Sequence, residues 1–218
     1  MKGRQPTYPI HPLILSRTSP RQLSDQPVSR EELLALFEAA RWAPSFYNQQ
    51  PWRFIYALKN TTTTTTPDKE EPYPKFYDLL WQLNRQWAYN TSALVVVVSH
   101  KWFHMKGDRS YRMANPTHSF DTGAACMALA LEGAARDLVV HAMAGFDYDR
   151  AYELLGIDRE NDQIDCMLAI AKRPPPELRE EPRIAPRQPL ESIAFEHTYD
   201  ISKTNNTANV VIRMPTKH

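Results

Sequence analysis

Apolar residues Leu33, Leu36, Phe37 and Ala40 recur at helical spacing within residues 27–43 and form one stripe. Ser29 and Glu32 ahead of it stand three apart, as in a capping box. Val28 and Leu33 fall where a hydrophobic staple sits, and Pro44 ends the helix. Residues 53–58 are apolar and aromatic, which predicts a strand. Phe76, Leu79, Leu80, Leu83 and Trp87 predict a further helix, and residues 93–99 a strand buried on both faces, because their valines do not alternate with polar residues. A helix dense in small residues is expected over 119–138, with Gly123, Ala124, Ala125, Ala128, Ala130, Gly133, Ala134 and Ala135. It suits the centre of the monomer and a dimer seam equally well. Residues 139–145 and 164–171 read as strands, and 148–155 as a short helix capped by Asp147.

Between these elements lie stretches without a period. The run Thr61 to Thr66 and the charged, Pro-bounded stretch after it predict a surface loop. Residues 101–118 are aromatic and basic with no regular spacing. Beyond residue 195 the chain is polar apart from Val210-Val211-Ile212, which predicts one domain over 1–195 and a C-terminal tail or arm over 196–218. Helices and strands alternate irregularly without a repeat, so the fold class expected is α+β.

Composition narrows the function. The 218 residues are 42% hydrophobic, enough for a substantial core. Their net charge is +1 from 26 basic and 25 acidic side chains, which points away from nucleic acid and anionic membranes. The apolar runs are far shorter than the roughly 20 residues that cross a bilayer, so no membrane partner is expected. With only Cys126 and Cys166, both in apolar runs, the chain reads as cytoplasmic and its thiols as small hydrophobes. Eighteen prolines against six glycines imply stiff connections and leave no Gly-rich phosphate loop.

Two segments carry candidate chemistry. Arg17-Thr18-Ser19-Pro20-Arg21 sets two guanidiniums around a hydroxyl, a pattern that grips phosphate through charge-assisted bonds or else forms a solvated basic patch. Residues 41–54, RWAPSFYNQQPWRF, run from a helix through a Pro-stopped turn to a strand. Their Asn and Gln amides offer donors and acceptors suited to the edge of a flat heterocycle. The plain alternative is a polar connection anchored by Trp52. No Ser-His-Asp order, metal-binding helix or paired-carboxylate motif is present, so no metal is expected, and the seven histidines read as structural or solvated.

These segments, with Asp121-Thr122-Gly123-Ala124-Ala125, Gly145-Phe146-Asp147 and Arg187-Gln188-Pro189-Leu190-Glu191-Ser192-Ile193, resemble in order the signature elements of the FMN-dependent nitroreductase family. The matches span roughly residues 13–193. The resemblance implies a three-layer α/β/α fold with a mixed central sheet flanked by helices, and a long central helix at a homodimer interface. It further implies bound FMN with NADH or NADPH as co-substrate, and a flat, electron-poor aromatic acceptor such as a nitroaromatic or quinone, reduced by ping-pong turnover.

Carried over residue by residue, it assigns Arg17 and Arg187 to the FMN phosphate, with Thr18 and Ser19 as helpers. Arg21 is placed at the pyrimidine edge of the flavin as the catalytic cation. Pro44, Ser45 and Asn48 line the flavin from the opposite subunit, with Gln50 and Gly145 completing the cofactor-binding set, while Pro51 and Trp52 are architectural. Residues 101–118 are the expected acceptor wall. The chain departs from the family pattern at Ala144, Ala171 and Ala185, where a glutamate, a glycine and a basic residue are common. Ala144 and Ala185 are consistent with one alternative, a flavin-binding protein without turnover; another is a family branch devoted to dehalogenation, azoline oxidation or flavin destruction.

Overall fold

The computed structural model describes residues 4–59, 72–104, 111–180 and 185–204. A short helix α1 (Pro12–Ser16) precedes α2 (Arg30–Arg41), where the predicted capping box forms in full: Ser29 Oγ accepts the Glu32 N–H and the Glu32 carboxylate accepts the Ser29 N–H. Leu33, Leu36 and Ala40 of the stripe are buried, and Phe37 stacks on Phe54 with ring centroids 5.3 Å apart. Strand β1 (Trp52–Leu58) follows.

The helix expected from Phe76 to Trp87 is two helices, α3 (Pro72–Tyr77) and α4 (Gln82–Ala88). The chain breaks between them because Leu80 bridges Phe146 and the Trp81 N–H turns to the Gly145 carbonyl. Leu83 is therefore exposed instead of joining the stripe.

Strand β2 (Ala93–His100) is buried along nearly its whole length. The aperiodic stretch after it holds a hairpin, β3 (Trp102–His104) and β4 (Arg112–Ala114). Strands of three residues are too short for alternation to reveal them. Helix α5 (His118–Ala135), β5 (Leu138–Met143), α6 (Tyr148–Leu155) and β6 (Asp162–Lys172) complete the body. Asp147 caps α6 as predicted, its carboxylate accepting the Arg150 N–H.

The strands form a sheet in the order β1-β2-β6-β5. Every pairing among the described residues is antiparallel, which corrects the expectation of a mixed sheet. The β1–β2 and β5–β6 connections each bring the chain back to the edge it left, as the pairs Leu58↔Ala93 and Met143↔Met167 record.

Alternate residues of β2 and β6 face opposite layers, as strand geometry requires. Leu94, Val96, Val98, Met167 and Ala169 pack with residues of α3, α4 and α6. Ala93, Val95, Val97, Leu168 and Ile170 pack with α2 and α5. This is the expected three-layer α/β/α arrangement. No helix among the described residues is long and apolar enough to cross a membrane.

The chain divides into two compact units, Arg4–Pro182 and Arg183–His218 with Met1–Gly3, so the division falls ahead of the expected boundary at 195. The threonine run and the Val210–Ile212 patch lie outside the described residues.

Candidate functional site

The Arg17–Arg21 segment lies beside β5 and the end of β6. His141, in the middle of β5, bonds the Pro20 carbonyl through Nδ1 at 3.0 Å. Arg173, just past β6, donates from Nη1 to Thr18 Oγ1 at 3.0 Å. Arg17 donates to Ser19 Oγ at 3.2 Å, and Arg21 makes no hydrogen bond or ion pair among the described residues. The hydroxyls of Thr18 and Ser19 thus brace arginines and hold the segment in shape.

Positive charge collects here. Arg173 has a largely buried side chain, 15% exposed, and reaches Asp137 at 3.5 Å, while Arg179 takes the other Asp137 oxygen at 2.5 Å. Burial pushes the Arg173 guanidinium below its ordinary range; Asp137 works against that, and Arg179 and Arg17 add to it. Among the described residues Asp137 thus takes both Arg173 and Arg179, and the Arg17 and Arg21 guanidiniums stand close enough to bias Arg173 and His141. Sequence reasoning missed His141, Arg173 and Arg179. His141 sits in an apolar strand and the two arginines flank a proline run, so only the folded chain brings them to the motif.

The Asn-Gln turn is built by a different principle. Helix α2 stops at Arg41, and Phe46–Asn48 forms a single 3-10 turn before β1. Tyr47, Asn48 and Gln50 have φ of 47°, 55° and 49°, the left-handed region that costs a residue with a Cβ about 1 kcal/mol or more. Polar bonds hold this strained run. Ser45 Oγ accepts the Gln50 N–H at 3.0 Å, and the Asn48 carbonyl accepts from Gln50 Nε2 at 3.2 Å. The Phe46 N–H donates at 3.0 Å to Asp121, a buried carboxylate in the first turn of α5 that also takes the Thr117 hydroxyl at 3.1 Å. Phe46 packs edge-on against Phe103 at 5.5 Å, and Tyr47, though largely exposed, stacks parallel to it at 6.5 Å.

The turn thus presents the Asn48 side chain, which is exposed and makes no hydrogen bond among the described residues, next to exposed Pro44. Ser45 and Gln50 serve the backbone, and Trp52 is a core anchor, 7% exposed. Asp121 is a supporting residue whose signal lay in the Asp121–Ala125 motif.

Gly145 follows β5. Its carbonyl accepts both the Trp81 N–H at 3.1 Å and Asn84 Nδ2 at 2.8 Å, and a Cβ there would stand 2.7 Å from that nitrogen. Close approach of α4 is what the glycine permits. Arg187 belongs to the other unit, where its Nη1 donates to the Ala185 and Pro186 carbonyls. In the acceptor-wall segment, the Arg112 guanidinium lies 4.1 Å over the Trp102 ring, and Trp102 Nε1 donates to the Glu160 carbonyl at 3.0 Å. Cys126 and Cys166 are half-buried and unbridged, and the Cys126 thiol is pushed up by its contact with Cys166 and by burial. Among the described residues no cluster of His, Cys, Asp and Glu side chains suits a metal.

Within one chain the two motif segments stand at opposite ends of the sheet. Thr18 is tied to Arg173 beyond the last residue of β6, whereas the turn leads into β1 beside Ser99 and His100, which pair with Gln163 and Asp162 at the start of β6. Strand β6 has 11 residues, so at about 3.3 Å each its ends are roughly 30 Å apart. Helix α5 runs between the same two ends, from Asp121 under the turn to Ala135, two residues before the Asp137 that pairs with Arg173.

The model of the nitroreductase family matches residues 14–172. No curated protein matches the chain. Among solved structures, an oxidoreductase containing FMN is similar at 34% identity over 90% of this chain and 96% of its own, with a TM-score of 0.78. A nitroreductase family protein from Clostridium difficile 630 is similar at 21% identity over 86% and 97%, TM-score 0.63. One from Streptococcus pneumoniae TIGR4 is similar at 15% over 85% and 98%, TM-score 0.64.

Proposed function

The chain belongs to the nitroreductase family, and from that premise we propose that it is an FMN-dependent oxidoreductase that draws on NADH or NADPH and reduces a flat, electron-poor acceptor. The observation that carries the proposal is the gathering of the Arg17, Arg21 and Arg173 guanidiniums about one loop, whose donors suit a phosphate dianion. The similarity to an FMN-containing oxidoreductase over nearly its full length adds to it.

FMN when bound supplies the redox chemistry, taking hydride from the nicotinamide and passing it to the acceptor. Arg17 grips the phosphate; Arg21 supplies a cation where negative charge grows on reduction. Asn48 offers its amide to the edge of the ring system, and the rigid turn below it limits the motion of that amide. Arg187 enters this reading through its motif alone. A narrower reading, flavin binding without turnover, draws on Ala144, which offers no polar group beside Gly145.

The site is proposed to be composite, formed by two copies of the chain. A two-fold axis across the middle of α5 would set the turn of one copy beside the arginines of the other, because α5 spans the distance between them. The exposed apolar residues Phe120 and Met127 of α5, with Trp42 and Leu34 at α2, supply a face for that contact.

Visible absorbance of the purified protein, identification of any flavin released on heating, and NADH and NADPH oxidation with and without a quinone test the proposal. A yellow protein that releases FMN and oxidises a nicotinamide supports it. A protein that neither holds nor takes up FMN refutes it. Bound FMN without nicotinamide oxidation selects the narrower reading.

A further inference from the structure

His141 belongs to no motif, yet it joins two of them. Its imidazole stacks on Trp87 with centroids 4.4 Å apart. Trp87 Nε1 donates to Asn84 Oδ1 at 3.2 Å, and Asn84 Nδ2 donates to the Gly145 carbonyl at 2.8 Å. On its other side the ring bonds the Pro20 carbonyl. A polar and aromatic chain thus runs from Gly145 through Asn84, Trp87 and His141 to the loop that carries Arg17 and Arg21.

The Pro20 carbonyl can only accept, so Nδ1 carries the proton and Nε2 keeps its lone pair. Burial lowers the proton affinity of the ring; the bond to Pro20 opposes this, and Arg21 and Arg17 reinforce it. Among the described residues, its ring and strand neighbours bring no further charge. Trp87 is neutral, the strand partner Ala169 is apolar, and so are Val139 and Met143, two residues either side in β5.

We propose that His141 is the positioning residue of the anion-binding loop, holding Pro20 through Nδ1–H and taking a proton from solvent at Nε2 when a phosphate arrives between Arg17 and Arg21. The proposal rests on the reading that FMN binds there. Arrival of the dianion cancels the field of the arginines, imidazole becomes imidazolium, and phosphate capture and proton uptake are one event.

Calorimetric titration of FMN and of riboflavin into the apoprotein, at pH 6 to 8.5 in buffers of different ionisation enthalpy, tests this with the wild type, His141→Asn and His141→Ala. Asparagine can place an amide N–H near Nδ1 but cannot titrate. The wild type is expected to take up a proton with FMN and to bind up to about tenfold more tightly for each step of one in falling pH, the ceiling set by a single linked proton. His141→Asn should bind without the extra proton, and His141→Ala should bind more weakly at every pH. Riboflavin, lacking the phosphate, should show no proton uptake. The phosphate's own protonation weakens binding as pH falls and is common to all variants, so the opposite sign isolates the histidine.

Equal pH profiles for the wild type and His141→Asn overturn the proton role, and unweakened binding by His141→Ala overturns the positioning role. Wild type that binds riboflavin and FMN alike overturns the phosphate assignment beneath both. Wild type that binds neither overturns the flavin reading itself.

Discussion

At the end of the sheet where β1 starts, a buried carboxylate, two hydroxyls and three aromatic rings lock a turn whose backbone is strained at Tyr47, Asn48 and Gln50. At the end where β6 finishes, Arg173 and Arg179 share Asp137, and the charges of Arg179 and Arg17 act against Arg173. In the first region the strained backbone is tied down by Asp121 and Ser45, while the exposed Asn48 amide and the buried Asn115 Nδ2 and Thr122 Oγ1 bond nothing among the described residues. In the second, several guanidiniums gather around one loop. Shape at one end is held by the fold, whereas at the other guanidiniums act against one another, so on the proposed reading equivalent damage should appear as lost stability in the first and lost affinity in the second.

The largest effect expected is from Asp121→Ala. It leaves the Phe46 N–H without its acceptor and the Thr117 hydroxyl with Asn115 Oδ1 alone while the turn remains strained, and bonds to a charged group are worth about 1.5–3 kcal/mol each. A loss of about 3 kcal/mol in urea unfolding is expected. A loss below about 1 kcal/mol would mean that ring packing alone holds the turn, and the contrast between the ends would weaken.

Arg17→Ala should do the reverse. Removing one charge-assisted phosphate contact costs about 1.5–3 kcal/mol of binding, a 10- to 150-fold rise in the FMN dissociation constant. Stability of the apoprotein should move by no more than about 0.5 kcal/mol, the usual range for a surface substitution. If the apoprotein lost as much stability as Asp121→Ala, Arg17 would be a structural residue.

What the sequence revealed follows the same division. The Asn-Gln turn was legible because its stop and its strand are encoded within residues 41–54, though the left-handed backbone at Tyr47, Asn48 and Gln50 was not; Ser29 with Glu32 and Asp147 announced their helix starts for the same local reason. The cation cluster was half legible. Arg17 and Arg21 stand four positions apart in sequence, but Arg173 and His141 join them only through the pairing of β5 with β6, Leu138 opposite Lys172, which no local pattern encodes. The break between α3 and α4 was missed on like grounds, since the Gly145 carbonyl that draws Trp81 away lies 64 residues further on. The mixed sheet came from the resemblance, and the antiparallel returns of this chain correct it.

Gly145→Ala sharpens the comparison at a point between the ends. The new Cβ must displace Asn84 Nδ2, which ends a side chain and can give way, at the expense of its bond to the Gly145 carbonyl and its hold on Trp87. A loss of about 1–2 kcal/mol is expected, one or two neutral hydrogen bonds. Weaker FMN binding in the same variant would tie Gly145 to the arginine loop through Asn84, Trp87 and His141; unchanged FMN affinity would cut that chain.

The smallest effect is on the pH dependence of stability. His141 is held below its ordinary range in the fold, first by burial and then by Arg21 and Arg17, whereas in the unfolded chain it titrates near 6.5. Between the depressed folded value and about 6.5 the unfolded chain binds more protons, so stability is whole above that window and falls as pH drops through it. The apoprotein should therefore lose stability on acidification below about pH 6.5 in a step that His141→Asn removes. Carboxylates lose their own contributions at lower pH in both proteins, so the comparison belongs between pH 7 and 5. Saturating FMN should shrink the step in the wild type, because a phosphate beside the arginines restores the proton affinity of the ring. A step of the same size with and without FMN would leave the two ends of the sheet differing in structure but not in their response to the cofactor.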